Sequence, residues 1–231
     1  MNISGCCAKP PVKAVILDMD GLVLDSETGY FAAWRAAAAA MGFEMSAAFA
    51  RSFSGTAGAD FPGKLRRQFG QDFDTDGFFA RSATIWQRKV QREGIAVKPG
   101  LDALLNHLRA MALPFGLATN SRRDDALRCL RLAGLEDVFS EIVSRDDVER
   151  PKPAADIYVL TARRLGMRPA DCLVLEDSPV GVRAAVAAGC RCLFIPSCLP
   201  ADLSAVQAAD GTCRDLRQAI EFIPGRESAS L

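Results

Sequence analysis

The chain has 231 residues, 49% of them hydrophobic, enough to bury one full core and a small second domain. Its 28 basic and 28 acidic residues cancel, so no global field draws it to nucleic acid or to an anionic membrane, and no apolar run reaches the roughly 18 residues that cross a bilayer. A single histidine, His107, expected on a helix surface, and eight cysteines without a Cys-x-x-Cys pair argue against zinc and Ser-His chemistry.

Residues 1–11 lack the charged-then-apolar pattern of a secretion signal. They are expected to be disordered, the protein cytoplasmic, and most cysteines reduced and buried as small apolar side chains. The first strand-like run, 12–17, leads into Asp18-Met-Asp20-Gly21-Leu-Val-Leu-Asp25. A short apolar run suits a buried strand, and open α/β sheets place their ligands at strand carboxyl ends. Two carboxylates this close raise each other's pKa unless a cation, a lysine or backbone N–H groups offset the charge. A hard cation such as Mg2+ takes carboxylates of this kind together with substrate phosphate. Gly21 permits the chain to curl so that both acids face one point. Asp and Gly also crowd ordinary turns, so the pair acquires meaning from its companions.

Three companions end later strand-like runs. Run 115–118 leads into Thr119-Asn120-Ser121, where Ser121 and Asp124 form a capping signal for a helix over 121–133; a hydroxyl, an amide and helix-start N–H groups together suit a phosphate. Run 142–144 precedes Arg150-Pro-Lys152-Pro153, in which two prolines restrict the backbone and aim the ammonium group. Run 172–175 ends in Glu176-Asp177-Ser178-Pro179, a second acid pair with Ser178 as N-cap and Pro179 as first helical residue. A fifth strand is expected at 192–195. Helices near 100–111, 121–133, 153–166 and 178–188 separate the strands, with Gly134, Gly166 and Gly189 where helix ends take a left-handed residue. Beyond residue 196 the pattern weakens to a last helix at 216–222 and a frayed end at 225–231. This alternation predicts an α/β fold, a doubly wound parallel sheet covered on both faces.

Residues 26–97 interrupt it with helical patterns alone, at 30–42, 46–53, 58–70 and 75–93. Inserted directly after the first acidic loop, they would sit over the strand ends, hinged near 25–26 and 97–100. Phe61, Phe69, Phe73, Phe78 and Phe79 read as the insertion's own core rather than a substrate-binding lining. Arg66-Arg67 and Arg122-Arg123 read as solvated helix faces.

The four motifs together resemble the haloacid dehalogenase-like hydrolase superfamily, most closely its branch of phosphoglycolate-phosphatase-like and β-phosphoglucomutase-like proteins, over about residues 12–196. The resemblance implies a Rossmann-like catalytic core at 12–25 and 98–231 with a helical cap at 26–97. It implies that Asp18 is a nucleophile that becomes an aspartyl phosphate and that Asp20 is the acid/base. Thr119 and Lys152 would bind the transferring phosphoryl group, with Gly21 and Asn120 beside them, and Asp18, Asp20, Glu176 and Asp177 would form a Mg2+ site. The expected reaction is hydrolysis of a small phosphorylated metabolite, of sugar phosphate or phosphoglycolate type, by a monomer or weak homodimer. A phosphomutase is the alternative. Against it, Tyr30 falls where mutase relatives carry histidine, and segment 55–59 has no arginine, although Arg51, Lys64, Arg66 or Arg67 remain within the insertion. A catalytically silent binding module on the same scaffold is the second alternative.

Overall fold

A computed structural model describes residues 11–53, 60–198 and 200–223. The expectations for residues 1–10, 55–59 and 225–231 lie outside these residues. Six parallel strands form one sheet in the order β3-β2-β1-β4-β5-β6. They are β1 (Ala14–Leu17), β2 (Phe115–Ala118), β3 (Glu141–Val143), β4 (Cys172–Glu176), β5 (Arg191–Phe194) and β6 (Gly211–Thr212). All four residues of β1 are buried, because helices cover both faces and leave no solvent side to demand alternation. One face packs Val15, Leu17, Leu117 and Leu175 against α5 (Leu101–Ala110) and α6 (Arg123–Leu132). The other packs Ile16, Val174 and Cys192 against α7 (Asp156–Arg164) and α8 (Pro179–Ala187).

The register sets Leu17 opposite both Leu117 and Leu175. The segments leaving β1, β2 and β4 therefore emerge side by side, and chain order reverses beside β1, the place where doubly wound sheets open a crevice. The five expected strands are present, β2 with the expected ends and the others with ends shifted by one or two residues. The sixth strand and α9 (Leu203–Ala208) went unread, since two paired residues and a six-residue helix carry no measurable period. The expected last helix is α10 (Leu216–Ala219) followed by a 3-10 turn at Ile220–Phe222. Gly134, Gly166 and Gly189 all have positive φ.

Between β1 and α5 lie α1 (Ser26–Ala40), α2 (Ala47–Arg51), α3 (Phe61–Phe69) and α4 (Thr75–Glu93). Phe73 and Phe78 are buried at their centre, with Phe61, Phe69 and Phe79 packed around them. The insertion is not sealed off from the core, however. Ala33, Trp86, Val90 and Ile95 join the apolar cluster of the sheet face, and Tyr30 stacks on Trp86 at 4.8 Å and 10°. Its two connections are tied together as well: Asp25 N–H donates to Ala96 O at 2.8 Å and Lys98 N–H to Val23 O at 2.9 Å. The expected hinge residues thus form a short antiparallel pair at Leu24 and Val97. Arg66, Arg67, Arg122 and Arg123 are exposed as expected.

Buried thiols are protonated. Burial pushes Cys172 and Cys213 up to about 11 and, with Asp20 nearby, Cys129 up to about 12. His107 lies on α5 and is half-buried, with its Nε2 enclosed.

At the sheet edge, Asp147 ties β3 to two helices. Its carboxylate accepts from Ser144 N–H at 2.8 Å and Ser144 Oγ at 2.7 Å, and pairs with Arg123 at 3.2 Å and Arg164 at 2.9 Å. Partial burial opposes ionisation, but the Ser144 donors and Arg164 outweigh it and hold the carboxyl at about 2. A depressed acid contributes in full above its unfolded value of about 3.9 and loses that contribution as pH falls toward the folded value. Asp147→Ala should therefore lower stability by about 1–2 kcal/mol at pH 7, the scale of a lost cap and partly exposed ion pairs. In urea titrations the difference from wild type should shrink between pH 4 and pH 2, about the window between the unfolded and folded values; a constant difference would contradict this.

Candidate active site

Asp18 leaves β1 with its N–H on Leu175 O at 3.1 Å, so β4 holds it at the strand end. Its carboxylate, 7% exposed, meets Lys152 Nζ at 2.5 Å. The same ammonium donates to Glu176 Oε1 at 2.7 Å and to Ala118 O at 3.0 Å, which uses all three of its donors. The Pro-Lys-Pro segment alone does not aim this lysine. Asn120 clamps its backbone from both sides, accepting from Lys152 N–H at 2.9 Å and donating to Lys152 O at 3.1 Å. Asn120, expected beside the phosphate, also positions Lys152 through these two bonds, which leave its second Nδ2–H uncommitted.

Glu176, wholly buried, is saturated. Oε1 accepts from Lys152 and, at 2.6 Å, from Tyr158 OH. Oε2 accepts from the N–H groups of Asp177 and Ser178, each at 3.0 Å, and from Ser178 Oγ at 3.1 Å. The side chains of Asp18, Glu176 and Asp177 bring carboxylate oxygens within 4.8 Å of one another. Three acids converge, and the one ammonium beside them pairs with only Asp18 and Glu176. Burial, and then the neighbouring acids, push Asp18 and Asp177 well above the ordinary carboxylate range, with Lys152 opposing the rise at Asp18. Burial would depress Lys152, but Asp18 and Glu176 outweigh it and raise it. Burial, reinforced by Glu176, likewise raises Tyr158.

Two glycines make the close approach possible. A Cβ on Gly21, whose φ is 87°, would strike the Asp177 carboxylate, and one on Gly181 would strike that of Glu176. Ser178 caps α8 by accepting from Gly181 N–H at 3.1 Å, with Pro179 as the first helical residue.

Asp20 stands apart from the acid cluster. Its oxygens accept from Ser26 Oγ at 2.8 Å and Ser121 Oγ at 2.7 Å, and lie 3.5 Å from Thr119 Oγ1. Asp20 was expected among the metal ligands; its carboxylate, held by hydroxyls, is not one of the three that converge. Ser121 in turn does not cap α6. That helix begins beyond it, and Arg123 N–H is met by Asp146 Oδ2 at 2.9 Å. Thr119 is 1% exposed, and its hydroxyl also accepts from Ser121 N–H at 3.0 Å. The sequence reading missed Ser26, Tyr158 and the bonds from Asn120 to the Lys152 backbone, for no local pattern marks a residue whose partner lies on another element. Among the basic candidates of the insertion, Lys64 donates to Ser52 O, while Arg51 lines a cavity of about 530 Å³ that also contains Asp177 and Arg183.

The description of the haloacid dehalogenase-like hydrolases matches residues 12–189. The chain is 31% identical over 183 residues to the phosphorylated carbohydrates phosphatase of Thermotoga maritima, covering 79% of this chain and 84% of that protein. It is 30% identical over 176 residues to the fructose-1-phosphate phosphatase YqaB of Escherichia coli, covering 76% and 92%. A solved HAD family hydrolase from Deinococcus radiodurans, with bound phosphate and sodium, superposes with a TM-score of 0.74 at 27% identity, covering 87% and 90%. Among the described residues no helix is long and apolar enough to cross a membrane. Matched over most of its length by the family description, by relatives and by a solved fold, this chain belongs to the haloacid dehalogenase-like hydrolases.

Proposed function

We propose that the protein hydrolyses small phosphoric monoesters with Mg2+ as cofactor, through an aspartyl phosphate formed on Asp18. The observation that carries this reading is the buried cluster of Asp18, Glu176 and Asp177, three converging carboxylates of which the Lys152 ammonium pairs with only two, Asp18 and Glu176. A structural ion pair has no use for two surplus negative charges without water. Asp18 and Asp177 would hold the cation; Glu176 stays engaged by Lys152, Tyr158 and the start of α8. When bound, Mg2+ neutralises this charge and polarises the phosphoryl oxygens.

The remaining chemistry belongs to the chain. An Asp18 oxygen forms a bond to phosphorus while the bond from phosphorus to the leaving oxygen breaks, and Lys152 with the Thr119 hydroxyl takes charge from the equatorial oxygens. Asp20, oriented by Ser26 and Ser121, gives a proton to the leaving alkoxide. It then takes a proton from water, whose oxygen attacks phosphorus, releases phosphate and restores Asp18. Helices α1–α4 act as the cap that keeps untimely water from the acyl phosphate.

The test is release of inorganic phosphate from a panel containing fructose 1-phosphate, phosphoglycolate and acetyl phosphate, with MgCl2 and with chelator. Turnover that requires the cation supports the reading; silence toward every compound overturns it. Asp177→Asn should abolish turnover yet raise the Tm of metal-free protein by about 2–4 °C, the response to roughly 1 kcal/mol of relieved repulsion in a chain of this size. A lower Tm, measured by scanning calorimetry, would show that Asp177 serves packing rather than a metal.

A further inference from the structure

The cavity on the Asp20 side of the site has walls that hydrolysis itself does not require. It measures about 270 Å³, and five aromatic residues line it: Tyr30, Phe31 and Trp34 from α1, with Phe53 and Phe61. Trp34 is the hub, with ring centroids 5.4 Å from Phe53, 5.6 Å from Phe61 and 5.7 Å from Phe31. Phe53 and Phe61 meet edge to face at 4.9 Å and 71°. These rings are not simply the insertion's core. Phe73 and Phe78 fill that role at 5% and 1% exposure, whereas Tyr30, Phe31, Trp34 and Phe61 are half-buried and face the cavity. The expectation that Phe61 is core alone is therefore incomplete.

Asp20, Ser26 and Glu27 stand in the same wall. If Asp20 protonates the leaving oxygen, the rest of the leaving alcohol has to enter this cavity. Ser26 already donates to Asp20 and Glu27 accepts from Cys198 Sγ, so a polyhydroxylated group would set most of its hydroxyls against five aromatic side chains with few acceptors or donors. A flat apolar ring, by contrast, would find edges and faces at stacking distance on several sides.

We infer that the substrate's alcohol portion carries an aromatic ring system, so that this chain differs in substrate class from the sugar-phosphate relatives it resembles. The inference rests on the phosphatase reading and narrows it. Edge-to-face contacts among Trp34, Phe53 and Phe61 fix the rings of the wall, and the volume of about 270 Å³ suits one or two rings.

The experiment compares kcat/KM of the intact enzyme for benzyl phosphate, ethyl phosphate and fructose 1-phosphate, all esters of unactivated alcohols, with acetyl phosphate as a ring-free control for the chemistry. Benzyl phosphate should exceed both other esters by about tenfold or more, the scale of a well-filled apolar pocket. Phe61→Leu and Trp34→Leu should each cut the benzyl-to-ethyl ratio by about fivefold, with Tm recorded for each variant. Preference for fructose 1-phosphate, or an unchanged ratio in both variants while acetyl phosphate is hydrolysed, overturns the aromatic assignment alone. Inertness toward all four compounds overturns the phosphatase reading beneath it as well.

Discussion

Asp18→Asn is expected to yield a folded protein that releases phosphate at least about 10⁴-fold more slowly than wild type, because the whole covalent route is removed at once. The amide is nearly isosteric with the carboxylate and has no comparable nucleophilicity. Folding should tolerate the change. Asp18 is a buried acid whose ionisation is opposed by burial and by Glu176, so its neutral replacement relieves charge, while Lys152 keeps Glu176 and Ala118 O as partners. Far-UV circular dichroism and calorimetry establish the fold, and hydroxylamine trapping reads the chemistry directly: wild type turning over acetyl phosphate should give a hydroxamate at residue 18, and the variant none. A properly folded variant with a tenth of wild-type activity would remove Asp18 from the reaction. Asp20→Asn should differ in kind, slowing turnover by about 10²–10⁴ as expected for a lost general acid while leaving the nucleophile in place.

Lys152→Met has the largest expected effect on stability. Lys152 is 7% exposed and is the cation that bridges Asp18 and Glu176 at 2.5 and 2.7 Å. Removing one partner of a buried ion pair typically costs about 3–5 kcal/mol, since the other charges stay buried without compensation. For a chain of this size that is a Tm decrease of roughly 6–20 °C at pH 7. Activity should vanish even where the variant is folded, for nothing then offsets the charge of an approaching phosphate. Lys152→Met/Glu176→Gln separates the causes. The double variant removes a cation and an anion together, so much of the lost stability should return while activity stays absent. If the double variant is no more stable than the single one, packing of the lysine stem rather than its charge explains the loss.

The parts legible in the chain were those written in contiguous residues. The apolar runs ending in Asp18, Thr119 and Glu176 show the strands, because a strand buried on both faces must be continuously apolar. The Ser178-Pro179 pair marks the start of α8 by local hydrogen bonding alone. Misreadings arose where a local signal had a distant competitor. Ser121 looked like a helix cap and instead donates to Asp20, 101 residues earlier in the chain. Asn120 has a second task that no local signal showed: it holds the backbone of Lys152, 32 residues later. Strand β6 is two residues long and exists by pairing with Leu193 and Phe194, not by any pattern of its own.

By itself the sequence determined the doubly wound core, the helical insertion and the identity of the principal acids and the lysine, because strand burial, helix capping and residue chemistry act over a few neighbouring positions. Only the tertiary structure decided that Asp20 leaves the acid cluster, that Glu176 is saturated by Lys152 and Tyr158, and that aromatic rings line the cavity beside Asp20. Each of these is a choice among partners on different elements. A carboxylate's role follows from the donors and charges that folding brings within about 3 Å of it, and no spacing along the chain encodes that distance.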